Sequence, residues 1–301
     1  ICAGLSSGES KVEHVILSED IKATIEAMRQ LGASIEITGD EYDSTLIVRG
    51  STEGVKESII NCRESGSTLR FMIPVGMMLS EKCTFTGYGR LIERSLDVCY
   101  EIFKKDDIAY KTENGMLPLK ASGKLKGGKY SMTGAVSSQF ISGLLFALPL
   151  LDNDSVIEIT DKMESKGYID LTLSMLEKFG INIKNNNHMD FKIKGGSKYK
   201  NTNYRVEGDY SQAAFFVVAK EIGNSVDCFD LNEDSMQGDK EIMDIVRLYD
   251  NAGDTVTIDV SQIPDLVPVM AVLASLKEGV TTHIINAGRL RIKESDRLKA
   301  I

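Results

Sequence analysis

The sequence contains no Cys-x-x-Cys pair. Its five cysteines, Cys2, Cys62, Cys83, Cys99 and Cys228, lie far apart, which excludes the compact zinc and thioredoxin-type signatures. Five is an odd number, and a chain of 301 residues builds its core without disulfide staples. Reduced thiols in a cytosolic protein are therefore expected. Histidine is scarce: His14, His188 and His283 show no metal-ligand spacing and read as structural or surface residues. No apolar run reaches the ~18 residues a membrane-spanning helix needs, and no signal-peptide layout is present. An excess of positive charge is missing too. A net charge of −9 argues against a general nucleic-acid or anionic-membrane binder, while leaving room for a small basic pocket.

An initiator methionine is also lacking. The opening "ICAGLSSGES" reads as the second half of a helix that stops at Gly8. The closing "ESDRLKAI" reads as a helix start, with Ser295 as N-cap and carboxylates in the first turn, yet six residues later the chain stops. Both ends thus read as cut, and a fragment of a longer protein is expected.

What is present is ordinary globular material, 42% hydrophobic and 26% charged, enough for about two domains. "SEDIKATIEAMRQLGASIEIT" places Ile21, Ile25, Met28 and Leu31 at helical spacing, interrupted on that face by Thr24. Gly32 ends this helix, and Ile35 and Ile37 alternate as in a strand. "YIDLTLSMLEKFGINIK" repeats the pattern with Gly180, Ile181 and Ile183; "DKEIMDIVRLYDNAGDTVTID" repeats it with Gly253, Val256 and Ile258. The glycines at 32, 180 and 253 are spaced by 148 and 73 residues, multiples of about 74. A further member is expected near residue 106, where "RSLDVCYEIFKKDDIAYKT" carries Lys105-Asp106-Asp107 in place of the glycine turn. A period of this length, mixing helix and strand, predicts compact α/β modules rather than an open solenoid. The polar stretch "NNNHMDFKIKGGSKYKNTN" precedes another strand–turn–helix, so a boundary is placed near Arg205, giving domains 1–205 and 206–301.

Three stretches set Gly and hydroxyl residues at the start of an apolar helix. Gly66, Ser67 and Thr68 stand ahead of Arg70; Ser137, Ser138 and Gln139 open a long buried helix; Ser165, Lys166 and Tyr168 open another. Each reads either as plain capping or as an anion site at a helix N-terminus. Arg90 and Arg94 offer bidentate anion contacts, or are solvated surface charges. Asp265, between Pro264 and an apolar helix, is a helix-dipole partner or a general base. The terminal "RLRIKESDRLKAI" has seven charged residues among the eleven from Arg289 to Lys299. Lys293, Glu294 and Arg297 straddle a turn into a helix there, either as a solvated loop or as part of a site.

Taken in order, "ESGSTLR", "RLIERSLD", "GAVSSQF", "ESKGYIDLTL", "VEGDYSQAAFF", "SMQGD", "IPDLVPV" and "RIKESDR" resemble the 5-enolpyruvylshikimate-3-phosphate synthase (3-phosphoshikimate 1-carboxyvinyltransferase) family. They spread over residues 64–297. The resemblance implies an α/β fold: a two-domain inside-out α/β barrel of βαβαββ units around a pseudo-threefold axis, the second domain incomplete. It implies transfer of the enolpyruvyl group of phosphoenolpyruvate to the 5-hydroxyl of shikimate 3-phosphate, in a site between the domains, without metal or organic cofactor. By that resemblance Ser137, Ser138, Gln139, Ser165, Tyr168, Asp265 and Lys293 bind shikimate 3-phosphate, and Gly66, Arg94, Gln139 and Arg297 hold phosphoenolpyruvate. Asp265 takes the hydroxyl proton, and Glu294 takes part in proton transfer at the methylene carbon. A cytoplasmic monomer with no nucleic-acid or membrane partner is expected.

Departures from the family pattern exist. Its Lys-Ser signature, which would precede Ile1, is absent, as are the segments after Ile301 that carry another Arg and a catalytic Lys. These residues alone are therefore expected to be inactive. Arg289 stands where many members have Asn, and "RESGSTLR" replaces a commoner Gly-Asn-Ala-Gly-Thr pattern while keeping Gly66. Two rivals stand beside this reading. One is UDP-N-acetylglucosamine enolpyruvyl transferase, whose loop cysteine has no counterpart in "GYGRLIE". The other is a fragment that binds shikimate 3-phosphate without turnover.

Overall fold

The computed structural model of the chain describes residues 1–134, 138–250, 252–293 and 295–301. The chain forms two compact units, one of Ile1–Met163 and Thr172–Val206, the other of Glu164–Leu171 and Glu207–Ile301.

The first unit opens with a single helical turn, Ala3–Leu5, and then strand β1 (Ser6–Ser7). A helix running to Gly8 is therefore corrected. The Ser6 hydroxyl donates to the Ala3 carbonyl at 2.8 Å and closes the turn there. Next come β2 (Glu9–Val15), α1 (Glu19–Gln30), β3 (Ser34–Gly39) and β4 (Ser44–Arg49). A complete module follows: β5 (Val55–Asn61), α2 (Gly66–Leu79), β6 (Ser80–Thr86), α3 (Asp97–Asp106), β7 (Ala109–Glu113) and β8 (Met116–Ser122). The same sequence of elements returns in β9 (Gly128–Met132), α4 (Ser138–Ala147), β10 (Ser155–Ile159), α5 (Lys166–Lys178), β11 (Lys184–Asn186) and β12 (Asp190–Ile193). Strands β13 (Tyr199–Lys200) and β14 (Tyr204–Arg205) end the unit.

Three four-stranded sheets result, in the orders β5-β6-β8-β7, β9-β10-β12-β11 and β14-β2-β4-β3. In each, the first pair is parallel and the next two are antiparallel. These are βαβαββ modules. In the third sheet the late strand β14 stands where the other modules have their first strand.

The helix-to-strand turns follow local chemistry. The Ser18 hydroxyl accepts from the Ile21 amide to cap α1, with Glu19 and Asp20 in the first turn. Ile25, Met28 and Leu31 bury one face of the helix. At the end of α3, where a glycine was missing from the repeat, Asp107 itself adopts the left-handed conformation (φ 57°), one of the few residue types that tolerates it. After Gly180 the strand begins at Lys184, not at Ile181. The buried Ile181 belongs to the helix end, its amide bonding the Leu176 carbonyl at 2.9 Å.

Helices α2 and α4 are apolar nearly all round and lie in the core. They cross closely at Gly143, where a Cβ would stand 2.4 Å from the Arg70 carbonyl oxygen. Phe71 and Phe146 meet edge-on beside this crossing, 5.5 Å between centroids.

The second unit contains α6 (Tyr210–Glu221), α7 (Ile242–Leu248), β15 (Thr255–Asp259), α8 (Val267–Leu276), β16 (Thr281–Ile285) and α9 (Arg297–Ala300). Strands β15 and β16 pair in parallel across α8, so β15-α8-β16-α9 reproduces the first four elements of the module. Its core gathers Ile242, Ile245, Ile258, Leu266, Met270 and Leu290. The cap of α9 is Asp296, whose side chain accepts from the Lys299 amide; Ser295, expected in that role, lies one residue too early. No helix among the described residues is long and apolar enough to cross a membrane.

Candidate active site

In the first unit the site residues gather at the start of α2. Ser65 caps the helix, accepting from the Thr68 amide at 3.1 Å. Gly66, Ser67 and Thr68 are therefore the first turn of α2 rather than a loop ahead of it, and unpaired amides of that turn are available to an anion. Thr24, the polar break in the apolar face of α1, meets the Thr68 hydroxyl at 2.8 Å. One turn further, Arg70 reaches back: its Nη1 donates to the Gly66 carbonyl at 3.2 Å and to Gln139 Oε1 at 3.1 Å. Gln139, second residue of α4, donates through Nε2 to the Ser67 hydroxyl at 3.0 Å. This ring of bonds ties the starts of α2 and α4 together.

Arg94 follows the turn Gly89–Glu93 and brings a second guanidinium to the same place. A Cβ at Gly66 would stand 2.4 Å from Arg94 Nη1 and 2.6 Å from Arg70 Nη1. Two guanidinium groups beside one helix N-terminus favour a small polyanion, by charge and by fork geometry. Ser138 is buried at the start of α4. Ser137 lies outside the described residues.

In the second unit a different cluster forms around Asp265, in the turn Pro264–Leu266 that leads into α8. Its Oδ1 accepts from Arg297 Nη1 at 2.6 Å and lies 3.4 Å from Lys293 Nζ. Its Oδ2 is 2.7 Å from the Tyr168 hydroxyl. Tyr168 stands in the first turn of α5, whose start is held by the Lys166 amide donating to Gln262 Oε1 at 2.9 Å. Gly167 permits a close approach there: a Cβ would come within 2.8 Å of Gly238 Cα. The contact places Tyr168 beside Asp239, 3.0 Å from its Oδ2. Ser165, just before α5, receives Arg289 Nη1 at 3.1 Å, and the same nitrogen pairs with Glu164 Oε2 at 2.8 Å. Glu294 lies outside the described residues.

Charge and burial set the protonation of this cluster. Burial pushes the Asp265 carboxyl up, but Lys293, the Tyr168 hydroxyl and Arg297 outweigh it and hold the group below the ordinary aspartate value. Burial pushes Asp239 up to about 6, helped by the charges of Asp265 and Asp209 and opposed by the Tyr168 hydrogen bond and Lys293. Burial and the same two carboxylates raise the Tyr168 phenol well above its usual range. An ionised carboxylate held between cations and a phenol is equipped to accept a proton from a substrate hydroxyl.

Of the residues named from sequence, Gly66, Arg94, Ser138 and Gln139 fall in the first unit, and Gly66, Arg94 and Gln139 share the start of α2. Ser165, Tyr168, Asp265, Lys293 and Arg297 fall in the second. Arg70, Glu164 and Asp239 were not singled out as site residues. A lone Arg in an apolar helix was one available signal, since arginine is rarely buried without a partner. Asp239 ends the quoted "SMQGD" segment, but its partner is 71 residues away.

The family model described as EPSP synthase (3-phosphoshikimate 1-carboxyvinyltransferase) matches residues 1–301. A 3-phosphoshikimate 1-carboxyvinyltransferase of Clostridium novyi is 50% identical over 100% of this chain and 74% of its own length. One from Clostridium kluyveri is 51% identical and is covered over 73%. Among solved structures, an EPSP synthase from Acinetobacter baumannii superposes with a TM-score of 0.79 at 23% identity, over 99% of this chain and 72% of that one, so the likeness is one of fold. On the whole-length match and these relatives, the chain belongs to the EPSP synthase (3-phosphoshikimate 1-carboxyvinyltransferase) family.

Proposed function

We propose that this chain serves the transfer of the enolpyruvyl group from phosphoenolpyruvate to the 5-hydroxyl of shikimate 3-phosphate, with release of phosphate, on the way to chorismate and the aromatic amino acids. The observation that carries this reading is the Asp265 carboxylate, paired with Arg297 and Lys293 and hydrogen-bonded to Tyr168. A hydroxyl must lose a proton as it attacks, and the two substrates bring several negative charges that cations must offset.

In this scheme the 5-hydroxyl oxygen bonds to C2 of phosphoenolpyruvate while its proton passes to Asp265 and C3 gains a proton with Glu294 taking part. The product is a tetrahedral ketal. Loss of phosphate from C2, with loss of a C3 proton, restores the double bond. No protein nucleophile is needed; positioned acids and bases suffice. Ser137, Ser138, Gln139, Ser165, Tyr168 and Lys293 take the shikimate 3-phosphate. Gly66, Arg94, Gln139 and Arg297 take the phosphoenolpyruvate, with Arg70 bracing Gln139. The domain division at residues 1–205 and 206–301, a cytoplasmic location and a monomeric state belong to the same proposal.

The related UDP-N-acetylglucosamine transferase is disfavoured by its need for a reactive loop cysteine. The nearest candidate, Cys83, is buried in β6, and burial raises its thiol. Titration calorimetry of the 301-residue chain tests the proposal. Shikimate 3-phosphate is expected to bind, with Ser165→Ala and Lys293→Ala each weakening it roughly tenfold, a loss of one charge-assisted contact. Binding of UDP-N-acetylglucosamine, or of neither ligand, would overturn it.

A further inference from the structure

The Tyr168 hydroxyl carries one proton and faces two carboxylates, Asp265 Oδ2 at 2.7 Å and Asp239 Oδ2 at 3.0 Å. It can donate to one of them at a time. With both ionised, the other contact sets two lone-pair oxygens against each other at hydrogen-bond distance, and burial magnifies the penalty. One additional proton removes the clash. The carboxyl that takes it donates to Tyr168 Oη, and the phenol donates to its neighbour.

The surroundings decide where that proton sits. Asp265 has Arg297 and Lys293 as direct ionic partners, both of which favour its charged form. Asp239 is 5% exposed, sits among the acidic Asp265 and Asp209, and has Lys293 as its opposing charge. The arrangement is built in: the close contact of Gly167 with Gly238 sets the two residues that follow, Tyr168 and Asp239, against each other.

We propose that Asp239 is the proton store behind Asp265, reached through the Tyr168 hydroxyl. The proposal rests on the role of Asp265 as the base in the reaction above. Asp265 takes the substrate's hydroxyl proton. Its Oδ2–H bond then breaks as a new O–H bond forms at Tyr168 Oη, while the original Tyr168 O–H breaks and its proton bonds to Asp239 Oδ2. The phenol ends neutral and unchanged. The negative charge moves from Asp239 to Asp265, which recovers full pairing with Lys293 and Arg297. No co-reactant is needed. A carboxylate whose cations weaken its hold on protons is a poor place to keep one; the buried carboxyl behind it is a better place. Asp239 acts through Tyr168 and is a positioning residue.

Infrared titration of the 301-residue chain between about pH 4 and about pH 8 tests this, because the carbonyl stretch of a protonated carboxyl separates from ionised carboxylate bands and tracks the aspartate of interest across its range. Beyond the many ordinary carboxyls that titrate near pH ~4, an acid-band component with a midpoint near 6 is expected, matching the position of Asp239, and that component should vanish in Asp239→Asn. Asp265→Asn removes the neighbouring charge and should lower the midpoint, and that shift should shrink by half or more when Tyr168→Phe is added. Tyr168→Phe keeps both carboxyls, so it carries the test by itself if Asp239→Asn does not fold: losing the phenolic acceptor should raise the band's frequency. Absence of the component with a midpoint near 6, its persistence in Asp239→Asn, or an Asp265→Asn shift indifferent to the Tyr168 hydroxyl would each overturn the store. Turnover of shikimate 3-phosphate and phosphoenolpyruvate by the Asp265→Asn enzyme separates the two layers. An unchanged kcat overturns the base assignment, and with it the use of the store. A lost kcat with an infrared titration unlike the one above overturns the store alone.

Discussion

Asp239 and Asp265 meet at one atom, the Tyr168 phenolic oxygen, 3.0 Å from the first and 2.7 Å from the second. Their environments push them in opposite directions, burial raising one and two cations lowering the other. Two aspartates that share a hydrogen-bond partner should therefore answer pH with opposite signs.

Asp239 binds its proton more tightly folded than unfolded, its value rising from 3.8 to about 6. Its contribution to stability is present below the unfolded value and is lost as pH rises through about 6. Asp239→Asn mimics the protonated form at all pH values. The variant should match the parent near pH ~4 and exceed it near pH ~8 by up to about 3 kcal/mol, taking ~1.4 kcal/mol per unit as a ceiling. Urea unfolding at the two pH values measures the difference.

Asp265 is the reverse case. Its folded value is depressed, so its contribution is present above the unfolded value and disappears as pH falls through the folded one. Asp265→Asn removes the charge that Arg297 and Lys293 contact in this cluster. It should lower stability at neutral pH by about 1–3 kcal/mol, less than for a fully buried pair because the cluster is partly exposed. In acid the penalty should fade, which the same urea series reads directly.

Two glycines separate fold from site. At Gly143 an added methyl meets backbone, the Arg70 carbonyl oxygen at 2.4 Å. Neither helix can yield, so Gly143→Ala should lower stability by about 1–3 kcal/mol. At Gly66 the methyl meets the far ends of Arg94 and Arg70. Those side chains can swing aside, so Gly66→Ala should melt within a few degrees of the parent. It should nevertheless weaken phosphoenolpyruvate binding, measured with shikimate 3-phosphate saturating, by about tenfold, the effect of losing one charge-assisted contact.

Thiol chemistry gives an independent check on the packing. Cys2, Cys62, Cys83 and Cys99 are buried, while Cys228 is half-exposed. Burial pushes Cys62 and Cys99 up to about 12 and Cys2 to about 11. A thiol-specific reagent near neutral pH should modify one cysteine in the native protein and all five after denaturation. Mass mapping should find the fast label on Cys228; a fast label on Cys83 would contradict the packing of β6.

The modular α/β plan was legible because its signals are local. Ile25, Met28 and Leu31 set one face of α1, and the left-handed residue closing α3 fell to Asp107, one residue from where the repeat called for a turn. Local signals also mislead locally. Ile181 and Ile183 alternate as a strand would, yet the amide of Ile181 is spent on the helix end. Ser295 and Asp296 are both good caps, and position relative to the first helical residue chose Asp296.

The sequence by itself determined the supply of chemistry: the guanidinium groups, the hydroxyls at helix starts, the carboxylate before α8, and the repeat that carries them. Only the tertiary structure decided the pairings, joining Arg70 to Gln139 across 69 residues and Tyr168 to Asp239 across 71. Helical spacing and capping act over a few residues, so they can be read along the chain. Proton affinity depends on burial and on charges brought from far away, and it exists only once the chain has folded.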